Sequence, residues 1–131
     1  MLLDTSGLMC LFDQKDNRHI LATRQYESAT RRLIHNYVFA EFVALAIARR
    51  APVADALRFI DSIHHSNEIE VVWVDSGLHE RAMRLLAERE DKRRTLCDAV
   101  SFILMGANGI GEALTTDHDF EQAGFVRLLD R

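Results

Sequence analysis

One proline, six glycines and two cysteines in 131 residues leave little room for several whole classes of protein. With so few chain breakers there is no linker, repeat or low-complexity tract, and a composition of 48% hydrophobic and 27% charged residues is that of an ordered globular chain. Cys10 and Cys97 are lone thiols far apart in sequence, each among apolar neighbours. They read as buried, reduced cysteines of a cytoplasmic protein rather than as a disulfide. No stretch approaches the ~20 uninterrupted apolar residues of a membrane span. The N-terminus enters a strand-like segment with no basic region before it, so no signal peptide is expected. The nucleotide and hydrolase signatures G-x-x-x-x-G-K-[ST], G-x-G-x-x-G and G-x-S-x-G are all missing. So are H-E-x-x-H and C-x-x-C, and His64 and His65 are adjacent rather than one helical turn apart, which argues against zinc.

Positive charge is also in short supply. The net charge of −4 opposes broad attraction to nucleic acid. Basic residues nevertheless cluster at Arg31-Arg32, Arg49-Arg50 and Lys92-Arg93-Arg94. Such pairs are often solvated helix ends, but beside an acidic centre they would suit a phosphodiester.

That acidic centre is what the sequence does contain. Glu41 is the only charged residue in residues 37–48 (Y-V-F-A-E-F-V-A-L-A-I-A), and Asp98 is the only one in residues 95–111. Asp4 and Asp117 each close a short apolar run, M-L-L and A-L-T-T. An ionised carboxylate in apolar surroundings is costly unless a cation pairs with it or a metal binds it. Neither apolar stretch carries a Lys or Arg, so a divalent cation is the economical partner if the four acids converge. Hard carboxylate oxygens favour Mg²⁺ or Mn²⁺ over zinc. With all four acids neutralised in this way, the rest of the chain would carry no net charge.

The order of elements makes convergence reasonable. Strands are expected at residues 1–3, 33–36, 69–74, 113–116 and 125–129. Helices are expected over 7–13, 19–28 and 37–50, then from Pro52 with Val53, Leu57, Ile60 and Ile63 as its apolar stripe. Two more should follow, one from Ser76 to about 89 and one capped by Thr95. A charged loop over 90–94 separates them, and a short turn or helix leads through Gly124 to the last strand. Strands alternating with helices imply one α/β domain over residues 1–131, with a parallel sheet covered on both faces. In such sheets ligands bind beyond the carboxyl ends of the strands, where Asp4 and Asp117 fall and where the helices bearing Glu41 and Asp98 begin. Each acid also has a local explanation. Asp98 could share a capping box with Thr95, Asp117 could form an Asx turn in T-T-D-H-D, and Asp4 could start a turn in D-T-S-G. Only Glu41 has none, and one shared site is simpler than four separate exceptions.

The segments L-L-D-T-S-G at 2–7, the lone Glu41, T-L-C-D-A-V-S-F at 95–102 and L-T-T-D-H-D-F-E-Q-A-G-F at 114–125 resemble the PIN domain. Their order and spacing are most similar to the VapC-type toxins of bacterial toxin–antitoxin pairs. The resemblance implies a three-layer α/β/α fold with a five-stranded parallel sheet, and a metal-dependent ribonuclease. By position it makes Asp4, Glu41, Asp98 and Asp117 the acids that bind Mg²⁺ or Mn²⁺ and act in catalysis. Thr5, Ser6 and Thr116 become supporting hydroxyls that order metal-bound water, and Asp119 a further polar position. Arg49 or Arg93 would hold the RNA backbone. The family also implies a cytoplasmic homodimer restrained by a cognate antitoxin. Competing readings are a PIN-like domain that only binds RNA or protein, a receiver-like domain with Asp75 as phospho-acceptor, and a phosphatase of the D-x-D type. The receiver lacks its acidic pair and its final lysine here, and the phosphatase lacks its second aspartate.

Overall fold

Short β-branched and leucine runs separated by amphipathic stretches build an alternating α/β chain. The computed structural model describes residues 1–90 and 93–130, so Lys92 of the third basic cluster lies outside the described residues. In order the elements are β1 (Leu2–Leu3), α1 (Thr5–Phe12), α2 (His19–Ser28), β2 (Leu33–His35), α3 (Asn36–Ala48), α4 (Val53–His64) and β3 (Glu70–Val72), followed by α5 (Ser76–Glu88), α6 (Leu96–Asn108), β4 (Glu112–Leu114), α7 (Asp119–Gln122) and β5 (Val126–Arg127). The five strands form one parallel sheet in the order β3-β2-β1-β4-β5.

Alternation along each strand divides the core in two. Leu3, Ile34 and Leu114 point to one face and pack with Leu8, Val38, Phe42 and Ala56 from α1, α3 and α4. Leu2, Leu33 and Ala113 point to the other and pack with Val100, Met105 and Phe120 from α6 and α7 and Ala82 from α5. Both faces of the sheet are therefore covered, as parallel pairing requires. Cys10 and Cys97 are free and buried. Among the described residues no helix is long and apolar enough to cross a membrane.

Several boundaries differ from the sequence expectation. The edge strands β3 and β5 are shorter than their apolar runs, because each has a partner on one side only. Asp75, not Ser76, caps α5, accepting the Leu78 N–H at 2.8 Å. Pro52 stands at the N-cap of α4 rather than inside its first turn. The α4 stripe is split: Ile63 is buried, whereas Val53 and Leu57 are half exposed. The segment D-T-S-G is not a turn but the entry into α1.

That entry explains one glycine. Gly7 lies where α1 crosses β4, and a Cβ built on it would come within 1.9 Å of the Leu114 carbonyl oxygen. Alanine would gain ~0.5–1 kcal/mol of helix propensity, but the overlap is with backbone, which moves only if the helix lifts from the sheet. Gly7→Ala is expected to lose about 3 kcal/mol net, read as a lower urea midpoint.

Candidate active site

The sheet order places a topological switch at its centre. From β1 the chain moves outward through β2 to β3, then returns to the opposite side of β1 to lay down β4 and β5. Loops leaving β1 and β4 therefore part in opposite directions and leave a crevice at the strands' carboxyl ends. Asp4 is the first residue after β1, and Thr115, Thr116 and Asp117 follow β4 directly. The N-terminal halves of α3 and α6 bring Glu41 and Asp98 to the same edge. The charges of Asp98 and Glu41 both act on Asp4, and those of Asp117 and Glu41 on Asp98. Carboxylate oxygens of Asp98, Asp117 and Asp119 lie within 4.8 Å of one another.

Each aspartate is held by a donor that leaves an oxygen over. Asp4 is buried, and its Oδ2 accepts from the Thr115 hydroxyl at 2.7 Å and the Ser6 hydroxyl at 3.2 Å. Its Oδ1 is buried with no hydrogen-bond partner. Asp98 Oδ2 accepts the Thr95 N–H, and the Thr95 hydroxyl accepts the Asp98 N–H, both at 3.1 Å. The capping box is thus real, and it fixes the rotamer of a carboxylate that also faces the crevice. Asp117 Oδ1 accepts the Asp119 N–H at 2.9 Å, the expected Asx turn, which folds Asp119 back into the acidic group. Local roles and a shared site coexist in both residues.

The hydroxyls sort differently from the sequence expectation. Thr115, which the sequence reading passed over, is fully buried and central: besides Asp4 it receives the Asp117 N–H at 3.0 Å and lies 3.1 Å from the Ser6 hydroxyl. Thr116 contributes its backbone N–H to Ser6 at 2.9 Å. The Thr5 hydroxyl is buried, with the Cys97 thiol beside it. Strand parity was the available signal, because Thr115 continues the β4 alternation inward. Of the basic clusters, Arg31 pairs with Glu70 at 2.6 Å and Arg32 donates to the Tyr26 carbonyl, both at the amino-terminal edge of the strands, away from the acids. Asp75 caps α5 beside the edge strand β3 and takes no part in the acidic group.

A second cluster, Asp61, His64 and His65, also has ligand atoms within 4.8 Å of one another. It sits at the exposed end of α4, where Asp61 and His65 already pair at 3.1 Å. The central acids are different: Asp4 and Asp98 are buried, Glu41, Asp117 and Asp119 are half-buried, and none is in an ion pair among the described residues. Burial pushes the Asp4 carboxyl up to about 7, against the pull of the Thr115 hydrogen bond and with the charges of Asp98 and Glu41 adding to the rise. Burial likewise raises Asp98 to about 6, opposed by its Thr95 bonds and assisted by Asp117 and Glu41. Cys97 is pushed up too, first by burial and then by Glu41, Asp4 and Asp98.

An orphaned buried carboxylate oxygen, three aspartates in mutual reach and an all-oxygen donor set fit a hard divalent cation. A family model described as the PIN domain matches residues 1–126. The chain belongs to the PIN domain family. Among PIN proteins it is 33% identical, over 98% of its length and 97% of the relative's, to the 23S rRNA-specific endonuclease VapC20 of Mycobacterium tuberculosis, strains CDC 1551/Oshkosh and ATCC 25618/H37Rv. The crystal structure of M. tuberculosis VapC20, described as a sarcin–ricin loop cleaving toxin, superposes with a TM-score of 0.86 and 31% identity, over 95% of each chain. The PIN fold expected from the resemblance is the fold observed.

The raised carboxyls fix a sign for stability. A proton held to higher pH in the folded chain than in the unfolded one stabilises fully below the unfolded value, 3.8, and this contribution is lost as pH rises through about 6 for Asp98. In EDTA, Asp98→Asn keeps an acceptor for the Thr95 N–H and removes the charge. Its stability gain over the parent should be near zero at pH 4 and grow to on the order of 1–3 kcal/mol above pH 7, read by thermal melts across pH. Mg²⁺ or Mn²⁺ should raise the parent's melting temperature at pH 8 by mass action and shrink the difference.

Proposed function

We propose that this PIN chain is an endoribonuclease that hydrolyses RNA phosphodiester bonds with Mg²⁺ or Mn²⁺ and serves as the toxin of a toxin–antitoxin pair. The observation that carries the proposal is the acidic group at the β1/β4 crevice, where Asp4 is buried with one unpartnered oxygen and feels the charges of Asp98 and Glu41. Asp4, Asp98 and Asp117 hold the cation directly or through water, with Asp119 adjacent. Glu41, approaching from α3, ligates it or accepts a proton from the attacking water. When bound, such a cation neutralises charge on the scissile phosphate and acidifies a bound water.

The chain's own groups do the positioning. Thr115 and Ser6 aim Asp4, Thr95 locks Asp98, and the Asx turn sets Asp117 against Asp119. The raised proton affinity of Asp4 and Asp98 sets protons against metal for the same oxygens, so a cation binds more tightly as pH rises through about 6 to 7. The relatives' names make a ribosomal RNA hairpin the first substrate to test. We extend the proposal to a cognate antitoxin, a homodimer and a cytoplasmic setting. Exposed Trp73, Met83, Leu57 and Val53 supply apolar surface for the two protein contacts.

Purified protein should cleave an rRNA hairpin in Mg²⁺ or Mn²⁺ and fail in EDTA. Asp98→Asn should lose at least about 100-fold in rate, the several kcal/mol that a bound cation contributes to the transition state. Equal cleavage by both proteins would reject the assignment. Thr115→Val, which keeps the shape and removes the donor to Asp4, should cost about 10–100-fold in metal affinity and rate. Thr115→Ser should restore most of the loss, which separates positioning from packing.

A further inference from the structure

Beside the acids lies a small polar pocket of about 50 Å³, lined by Ser6, Met9, Cys10, Asp16, Arg18, Arg49 and Thr116. Its wall is shared with the acidic group, since Thr116 N–H donates to the Ser6 hydroxyl, which in turn donates to Asp4. The cavity has room for a few waters, and so for phosphate oxygens, but not for a base.

Two arginines reach this pocket from different elements. Arg18 ends a loop braced by its own turns: Asp16 Oδ1 accepts the Arg18 N–H at 2.7 Å, and Asp13 Oδ1 accepts the Lys15 N–H at 3.0 Å. Arg49 is the C-cap of α3, its N–H bonded to the Leu45 carbonyl. Among the described residues neither guanidinium has a hydrogen bond or an ion pair, and Arg18 Nε is buried without a partner. Arg31 pairs with Glu70, Arg58 with Asp55 and Arg32 with the Tyr26 carbonyl; Arg94 lies over the Phe102 ring at 5.0 Å, although its Nε, like that of Arg18, is buried without a hydrogen-bond partner. Arg18 is half-buried with its Nε enclosed, whereas Arg49 is exposed at the pocket's rim; an enclosed guanidinium donor is normally satisfied, and where the protein supplies no acceptor an anionic ligand is the chemical answer. The one carboxylate in the lining, Asp16, has an oxygen committed to the Arg18 backbone, and against two arginines it leaves one net positive charge.

We propose that Arg18 and Arg49 clamp an RNA backbone phosphate neighbouring the one that is cleaved, with Ser6 and Thr116 as the shared wall between the two subsites. The inference rests on the ribonuclease reading and adds a substrate contact to it. It makes the clamp a register device, because a phosphate is read without regard to base, and seating it fixes which phosphate meets the acids.

The test measures RNA binding by fluorescence anisotropy in Mg²⁺ with the cleavage-deficient Asp98→Asn protein, over a KCl series. Adding Arg18→Gln and Arg49→Gln should weaken binding about tenfold or more. It should also make the slope of log K against log salt shallower by about 0.7–1. Arg18→Lys with Arg49→Lys should keep the slope, since charge survives. In otherwise active protein the Gln pair should raise KM far more than it lowers kcat, with an unchanged melting temperature. An unchanged slope and KM would overturn the clamp while leaving the ribonuclease reading intact. Failure of the Asp98→Asn parent to bind any RNA, together with no cleavage by the active protein, would reject both.

Discussion

Everything at the crevice depends on how the Asp4 carboxylate is held between two strands. Leu2 and Leu3 pair with Ala113 and Leu114, so the residues that follow, Asp4 and Thr115, emerge side by side where the chain parts in two directions. The 2.7 Å hydrogen bond between them ties the two halves of the doubly wound sheet at that point. It also saturates one face of the carboxylate and leaves the other buried and unmatched. Gly7 lets α1 come close enough to β4 for Ser6 to join the same network. Fold and site are therefore one problem: the close packing that seals the sheet edge is the packing that isolates the charge.

Burial and mutual repulsion raise the free energy of the ionised acids, and no lysine or arginine of the chain pairs with them among the described residues. A core built for stability alone would place an apolar residue at position 4 or 98, since well-packed apolar groups equal or outperform buried charges. Retaining the carboxylates makes sense where a cation completes them. The local bonds around them, the Thr95 capping box and the Asp117 Asx turn, do not offset the repulsion so much as prevent the side chains from escaping it by turning outward. A rigid, uncompensated set of oxygens is what a hard cation with short bonds requires.

Much of this was readable from residue type and order. Isolated acids in apolar runs stand out because burial of charge is rare, and the α/β alternation sends strand ends and helix starts to one edge. Pair geometry was less accessible. Thr115 and Thr116 are chemically identical neighbours, and only the strand register decides which one turns inward. The same limit applied to Arg31-Arg32, whose basic character says nothing of sheet edge; Glu70 and the Tyr26 carbonyl hold them away from the acids. The α4 stripe was legible as helical but not as half exposed, because periodicity reports a face and not what covers it. Asp98 shows a different limit. Its capping and site roles looked like rivals in sequence, yet a capping carboxylate uses one oxygen and has another to offer.

Charge also sets an order of events. Without a cation the crevice presents several carboxylates to any approaching phosphate, and a pocket with one net positive charge beside it is a weak counterweight. On the proposed mechanism a divalent ion would remove two negative charges where the scissile phosphate would sit, so cation binding and RNA binding should be positively coupled, and by linkage RNA should tighten the hold on the cation by the same factor. Protons act against both, because protonated Asp4 and Asp98 give up the charge that attracts the cation. The unpaired arginines then have a defined moment of use. In the proposed clamp they would not draw RNA toward a bare acidic site, but once a cation had neutralised it they would be positive groups beside the reacting phosphate and would convert general attraction into a fixed register.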